Sequence, residues 1–324
     1  MSFTRIVTHN DFDGIASGAL CSAIHEVEEV AYTGPNTVTR QGFPVTEKDI
    51  VCDLPYPGEC GLWFDHHAGN AEELKRRGKD LSAIPGRFAP EKSCARVIFE
   101  FYRDDYEFPE FYEETVREVD KHDSFGFESL EDWRRECPSR IINCSLKARF
   151  ETKKAEEDYY TRLLFRMAES PLPDIAEENE VRTLYQQYLE LEKKMLEMIA
   201  KSARFHARDT KHDYVIIDLT DLHRPFQVER NLAQLIYPNI RGVFLLQHLF
   251  ESGVKTNNFM LSGSLTLKGE GKSSKDIGEI MRSLNIGDGH PGAGSGQIFC
   301  VTKPEFERKR NDLLDKVHAI WEGQ

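Results

Sequence analysis

The residues with evident chemical capacity lie in three short stretches: His9-Asn10-Asp11-Phe12-Asp13-Gly14, Asp53, and Asp65-His66-His67. The last follows an apolar run, Gly61-Leu62-Trp63-Phe64, that reads as a buried strand. A carboxylate and two imidazoles at the end of such a strand are costly to bury unless they bind something. Taken alone, the triplet also fits a helix-capping Asp followed by two surface histidines. His9, Asp11 and Asp13 occupy alternate positions, which point the same way in an extended turn. Asp and His without Cys suit harder cations such as Mn²⁺ or Mg²⁺, or a mixed N/O zinc site. The donors outnumber what one ion needs. Two ions roughly 3.5–4 Å apart, bridged by a carboxylate and a hydroxide, would use them all. Neither a G-x-S-x-G nor a G-x-x-x-x-G-K-[ST] motif competes. The chemistry indicated is metal-assisted hydrolysis of a phosphoester or phosphoanhydride.

Two further stretches add to this. Asp120-Lys121-His122-Asp123 is a second acidic cluster, expected just after a helix over 109–119. Gly287-Asp288-Gly289-His290-Pro291-Gly292-Ala293-Gly294-Ser295-Gly296 holds five glycines and one histidine. It reads as a loop whose backbone N–H groups can approach an anion closely.

The elements that must position these residues follow from the pattern. Residues 5–8 form a first strand, and a helix runs over 15–27 with the polar turn between them, the opening of a βαβ unit. Residues 29–33, 49–53 and 61–64 are three more strands. Ligand-type residues thus sit at three strand ends, and sites in open parallel sheets form outside the carboxyl ends of strands. Residues 70–92 read as a helix plus loop. Ser93 caps a helix through 103. Helical patterns cover 140–170 and 175–204, the second long enough for a connector or a homodimer helix. A second domain follows, with strands over 214–219, 242–247, 259–267 and 297–301 and helices over 230–235, 274–284 and 305–321. The domains expected are 1–172, a helical linker 173–210, and 211–324.

The 324 residues carry a net charge of −13, which disfavours a coat for long nucleic acids. The balance is uneven: residues 1–200 hold 25 Lys+Arg against 40 Asp+Glu, and residues 201–324 hold 17 against 15. Seven scattered cysteines without a C-x-x-C pair suggest reduced thiols rather than a disulfide framework or zinc ribbon. No apolar run approaches the roughly 18 residues that cross a bilayer, and no signal peptide fits the N-terminus, so a cytoplasmic protein is expected.

In their order along the chain, His9-x-Asp11-x-Asp13-Gly14, Asp53, Asp65-His66-His67 and Asp120 or Asp123 resemble the DHH phosphoesterase superfamily, and the glycines around His290 resemble the signature of its DHH-associated C-terminal domain. The resemblance spans residues 9 to about 301. It implies an α/β fold, a doubly wound, mostly parallel sheet joined by a helical linker to a smaller α/β substrate-binding domain. It implies two Mn²⁺ ions, with Mg²⁺ or Co²⁺ as substitutes. His9 and Asp11 would hold one ion, Asp13 and His66 the other, with Asp53 bridging and Asp120 ahead of Asp123 completing the set. Asp65 would orient its neighbour His66, and His67 would face substrate. Gly289, His290 and Gly292 would grip the substrate phosphate. The substrates implied are a short oligonucleotide or dinucleotide, with polyphosphate second. A non-catalytic nucleotide-binding protein is the alternative of another class. The chain departs from the pattern in the two-residue gap between His9 and Asp11 and in Asp288, where a glycine is usual.

Overall fold

A computed structural model describes residues 2–269 and 274–324. The chain separates into two compact units, Met1–Glu190 and Leu191–Gln324. The helix Asn179–Ser202 runs across this division, so the expected linker is shared between both units.

The first unit is built on a five-stranded sheet: β1 (Arg5–Thr8), β2 (Glu29–Tyr32), β3 (Asp49–Cys52), β4 (Leu62–Asp65) and β5 (Gly86–Phe88). The order is β2-β1-β3-β4-β5 and every pairing is parallel. The central strands read as near-continuous apolar runs because helices cover both faces. Ile6, Val7, Ile50, Val51 and Cys52 are fully buried. In this order the sheet reverses direction of growth between β1 and β3, and the crevice at their carboxyl ends is where open α/β sheets take ligands. The sequence does not announce β5, which falls in the stretch expected to be helix plus loop. Gly86 explains it: its φ is +106° and a Cβ there would lie 2.2 Å from the Trp63 carbonyl oxygen, so only glycine lets so short a strand close on β4.

The second unit carries a six-stranded mixed sheet: β6 (Ala203–Arg204), β7 (Tyr214–Asp218), β8 (Gly242–Glu251), β9 (Val254–Leu265), β10 (Gly287–His290) and β11 (Ala293–Ile298). Its order is β10-β11-β9-β8-β7-β6, with only β7 and β8 parallel. Phe259, Leu261 and Leu265 of β9 face a core shared with the helices Ile277–Ser283 and Lys303–Gly323. The expected glycine loop is instead the hairpin β10–β11. Among the described residues, none of the hairpin's glycines is one of those with positive φ. They are small because backbones approach closely: a Cβ on Gly289 would lie 2.3 Å from the Ala293 carbonyl oxygen, and one on Gly287 would lie 2.0 Å from that of Ser295. The orientation of the Asp288 side chain lies outside the described residues.

The apolar side of the helix Asn179–Ser202 is buried within the chain, through Val181, Tyr185, Tyr188 and Ile199 among others. A homodimer through that face is not supported. Among the described residues no helix is long and apolar enough to cross a membrane.

Candidate metal centre

All the ligand-type residues of the first unit that sit at strand ends converge. His9 directly follows β1, Asp53 follows β3, and Asp65-His66-His67 ends β4. Asp11 caps the helix Phe12–His25, its Oδ1 accepting from the Gly14 N–H at 2.9 Å. That helix packs so tightly on the turn that a Cβ on Gly14 would lie 2.3 Å from the His9 carbonyl oxygen.

Asp13, one turn position further on, is buried. Its carboxylate accepts from the Cys94 N–H at 2.7 Å and the Ala95 N–H at 2.9 Å. These are first-turn donors of the helix Cys94–Tyr102, which have no partner inside their own helix. Ser93 caps the same helix as expected, its Oγ accepting from Arg96 N–H at 3.0 Å.

Asp53 is the residue on which the geometry turns. It adopts φ +57°, a left-handed conformation that Asp tolerates better than most residues. Its Oδ2 lies 3.6 Å from His9 Nδ1, and its Oδ1 lies 3.6 Å from His66 Nε2 and 3.7 Å from His67 Nδ1. His66 Nε2 is also 3.6 Å from Asp13 Oδ2 and 3.4 Å from Asp123 Oδ2. Three sets of donors are thereby compact enough for a cation: His9, Asp11 and Asp53; Asp13, His66 and Asp123; Asp53, His66 and His67. Asp53 Oδ1 and His66 Nε2 are buried and have no hydrogen-bond partner among the described residues. A buried carboxylate oxygen and a ring nitrogen left bare side by side are what a divalent cation would satisfy.

The electrostatics agree. Burial, then the neighbouring Asp13 and Asp11 carboxylates, push the Asp53 carboxyl well above its ordinary range. Desolvation and the same two neighbours do so for Asp123. Burial also raises Asp13. Burial would raise Asp11 too, but the adjacent His9 outweighs it and brings Asp11 down to about 2. Crowded carboxylates of this kind favour a cation among them.

Two expectations need correction. Asp120 is not in the cluster: its carboxylate accepts from Ser93 Oγ at 2.7 Å and Arg96 Nε at 3.0 Å. Asp120 and Asp123 both belong to the helix Phe111–Asp123, which extends a turn beyond the expected end, and Asp123 is the one whose carboxylate faces His66. Asp65 orients His67 rather than His66. Its Oδ1 lies 2.8 Å from His67 Nδ1, and Asn70 Nδ2 donates to its Oδ2 at 2.6 Å. Burial opposes a charge on His67, but Asp65 prevails and raises it to about 9. The His66 ring is set by the Glu91 carbonyl, 3.2 Å from Nδ1, which leaves Nε2 as the lone-pair nitrogen facing the cluster. Nothing in the sequence flags Glu91, because a backbone carbonyl contributes whatever its side chain. Asn70, five residues after Asp65, was equally unmarked.

Gly289, His290 and Gly292 lie in the second unit, on and beside the hairpin turn. The Gly292 N–H donates to His290 Nδ1 at 3.2 Å, and the Gly292 carbonyl accepts from the Leu265 N–H at 2.8 Å.

No family model matches the chain, and no curated protein matches it. Solved structures do. A pGpG-specific phosphodiesterase, PggH, from Vibrio cholerae is 23% identical over 98% of this chain and 99% of that one, with a TM-score of 0.69. RecJ in complex with Mn²⁺ from Thermus thermophilus is 14% identical over 99% of this chain and 52% of that one, with a TM-score of 0.53. The DHH domain of a member of the s1p family of ribosomal proteins is 15% identical over 98% and 86%, also with a TM-score of 0.53. These likenesses extend over nearly the whole chain, and they show that it shares the fold of these proteins, a DHH domain among them.

Proposed function

We propose that the chain is a divalent-metal-dependent phosphoesterase that hydrolyses short nucleotidic phosphodiesters, linear dinucleotides foremost. The observation that carries this reading is the pair of bare, buried donor atoms, Asp53 Oδ1 and His66 Nε2, inside a ring of further carboxylates and imidazoles. His9, Asp11 and Asp53 would hold one cation, and Asp13, His66 and Asp123 the other, with Asp53 adjoining both. When bound, such a pair acidifies a water and offsets charge on phosphoryl oxygens. Mn²⁺ is the first choice, by analogy with the Mn²⁺-bound RecJ neighbour.

The chain's own residues prepare the rest. The Cys94 and Ala95 N–H groups fix the Asp13 carboxylate. The Glu91 carbonyl holds the His66 ring with Nε2 inward. His67, held by Asp65 and 45% exposed at its side chain, is the imidazole available to a phosphoryl oxygen. A dinucleotide is preferred over a long strand because the chain is acidic and its likeness to the dinucleotide phosphodiesterase covers both proteins end to end. His290 is assigned to a substrate phosphate.

The test is a Mn²⁺-dependent assay across linear and cyclic dinucleotides, short RNA and polyphosphate, with His66→Ala as control. Cleavage of linear dinucleotides, lost together with bound metal in a folded His66→Ala variant, is expected. Cleavage confined to polyphosphate would replace the phosphodiesterase reading by a phosphoanhydride one. Full metal occupancy without turnover on any substrate would make the chain a binding protein.

A further inference from the structure

His122 stands in the sequence between Asp120, paired with Arg96, and Asp123, aimed at His66. Its ring faces a different element, the helix Pro138–Ser145. His122 Nε2 lies 3.3 Å from Ser139 Oγ, and Asn143 Nδ2 lies 2.9 Å from His122 Nδ1. Ser139 Oγ donates to Glu118 Oε2 at 2.6 Å. Glu118 and His122 are four residues apart on the helix Phe111–Asp123, as Ser139 and Asn143 are on the other, so each pair shares one face of its helix. The four side chains form a ladder between the two helices.

The direction of each bond in the ladder is fixed. An ionised carboxylate only accepts, so the Ser139 hydroxyl donates to Glu118. Ser139 Oγ then accepts from His122 Nε2–H, which leaves Nδ1 as the lone-pair nitrogen that accepts from the Asn143 amide. The ring also packs edge-on against Phe12 and Phe127, with centroids 5.5 and 5.1 Å away. Phe12 is buried and sits in the sequence between Asp11 and Asp13.

Asp13 is held by the Cys94 and Ala95 N–H groups, and Asp11 by that of Gly14. Among the described residues the Asp123 carboxylate accepts no hydrogen bond of this kind, so its place 3.4 Å from His66 Nε2 is set by the backbone of its helix. Asp123 is the last residue of that helix, and helix ends fray. Successive residues lie about 100° apart round a helix, so anchoring His122 on the helix Pro138–Ser145 fixes the direction in which Asp123 points.

We propose that His122 is the positioning residue of Asp123: the ladder through Ser139, Asn143 and Glu118 locks the last turn of the helix and holds the Asp123 carboxylate on the cation shared with Asp13 and His66. Both ring nitrogens of His122 are engaged in the ladder, so it ligates nothing itself. The proposal rests on the reading of Asp123 as a cation donor.

The experiment uses the full chain loaded with Mn²⁺, followed by equilibrium dialysis and by electron paramagnetic resonance, which tells an isolated Mn²⁺ from a coupled pair. His122→Phe keeps a ring against Phe12 and Phe127 and removes both ring nitrogens. It is expected to weaken the cation of the Asp13 group about 10–100-fold and to leave that of the His9 group at wild-type affinity, so the spectrum of a pair gives way to that of a single ion. Asp123→Asn should give the same spectrum. His122→Gln, whose amide offers one acceptor and one donor, should restore part of the lost affinity. Asn143→Ala, on the other helix, should weaken the same cation, and it carries the test should His122→Phe fail to fold. A pair spectrum retained in both His122→Phe and Asn143→Ala overturns the proposal. So does parallel weakening of both cations with a lowered Tm and no recovery in His122→Gln, which makes the ladder structural only. In either case Asp123→Asn still loses a cation, and the reading of the centre stands. A wild type that binds no pair of cations, or an Asp123→Asn variant that binds them as wild type does, ends that reading and the proposal with it.

Discussion

Replacing Asp53 with Asn should raise the stability of the metal-free protein and abolish its response to metal. The change keeps the shape of the side chain at φ +57°, where Asn is as well tolerated as Asp. It removes a charge that the Asp13, Asp11, Asp123 and Asp65 carboxylates all oppose. Two like charges ~5 Å apart interact by ~3 kcal/mol at an effective dielectric of ~20. His9 and His67, both favoured in the charged form, offset part of that repulsion, so a net gain of about 1–2 kcal/mol is expected, or roughly 2–8 °C in Tm for a unit of this size. Wild type at ~100 times its Kd for Mn²⁺ should gain about 2.7 kcal/mol, roughly 5–11 °C. Asp53→Asn should show almost none of that shift, because it removes the carboxylate that belongs to one proposed cation group and adjoins the other. Differential scanning calorimetry with chelator and with Mn²⁺ gives both numbers. An Asp53→Asn protein that melts lower than metal-free wild type, with its Mn²⁺ shift intact, would refute the reasoning.

Three other outcomes follow from the same geometry. Asp123→Asn should lose metal with little change in metal-free stability, whereas Asp120→Asn should keep metal and cost about 1–3 kcal/mol by weakening the bonds from Arg96 and Ser93; metal titration and calorimetry on the pair separate them. Gly14→Ala should weaken metal binding at least tenfold, since its Cβ would displace the His9 backbone; equilibrium dialysis reads this. Because the Asp53, Asp13 and Asp123 carboxyls are raised in the folded protein, metal-free stability from this cluster is fully present below the ordinary carboxylate range and is lost as pH rises through the elevated values. Mn²⁺ competes with those protons, so its stabilising effect should grow with pH over the same interval; a shift independent of pH would contradict it.

Much of the centre was legible in the sequence because its donors sit at fixed positions relative to strand ends. An apolar run that stops at Asp65-His66-His67, a turn with His9, Asp11 and Asp13, and a strand closed by Asp53 are local patterns, and a parallel sheet aligns such ends by construction. Local pattern also gave the helix cap at Ser93. The division of labour within the triplet was not legible. Asp65 and both histidines are adjacent in sequence, but which ring Asp65 holds depends on backbone direction and on Glu91, twenty-five residues away from His66.

The same contrast holds for the rest of the chain. Asp120 and Asp123 are equivalent in composition, and only the length of the helix Phe111–Asp123 and the position of Arg96 separate a paired carboxylate from one aimed at His66. The glycines around His290 read as an anion-holding loop, yet most are strand residues kept small by neighbouring backbones. Glycine serves both conformational freedom and close approach, and one sequence cannot tell which. What the sequence determined by itself was therefore the set of ligand-type residues at strand ends, since residue type and spacing are local. What only the tertiary structure decided was which donors face one another and which buried charges stand unpaired, because those depend on elements distant in the chain.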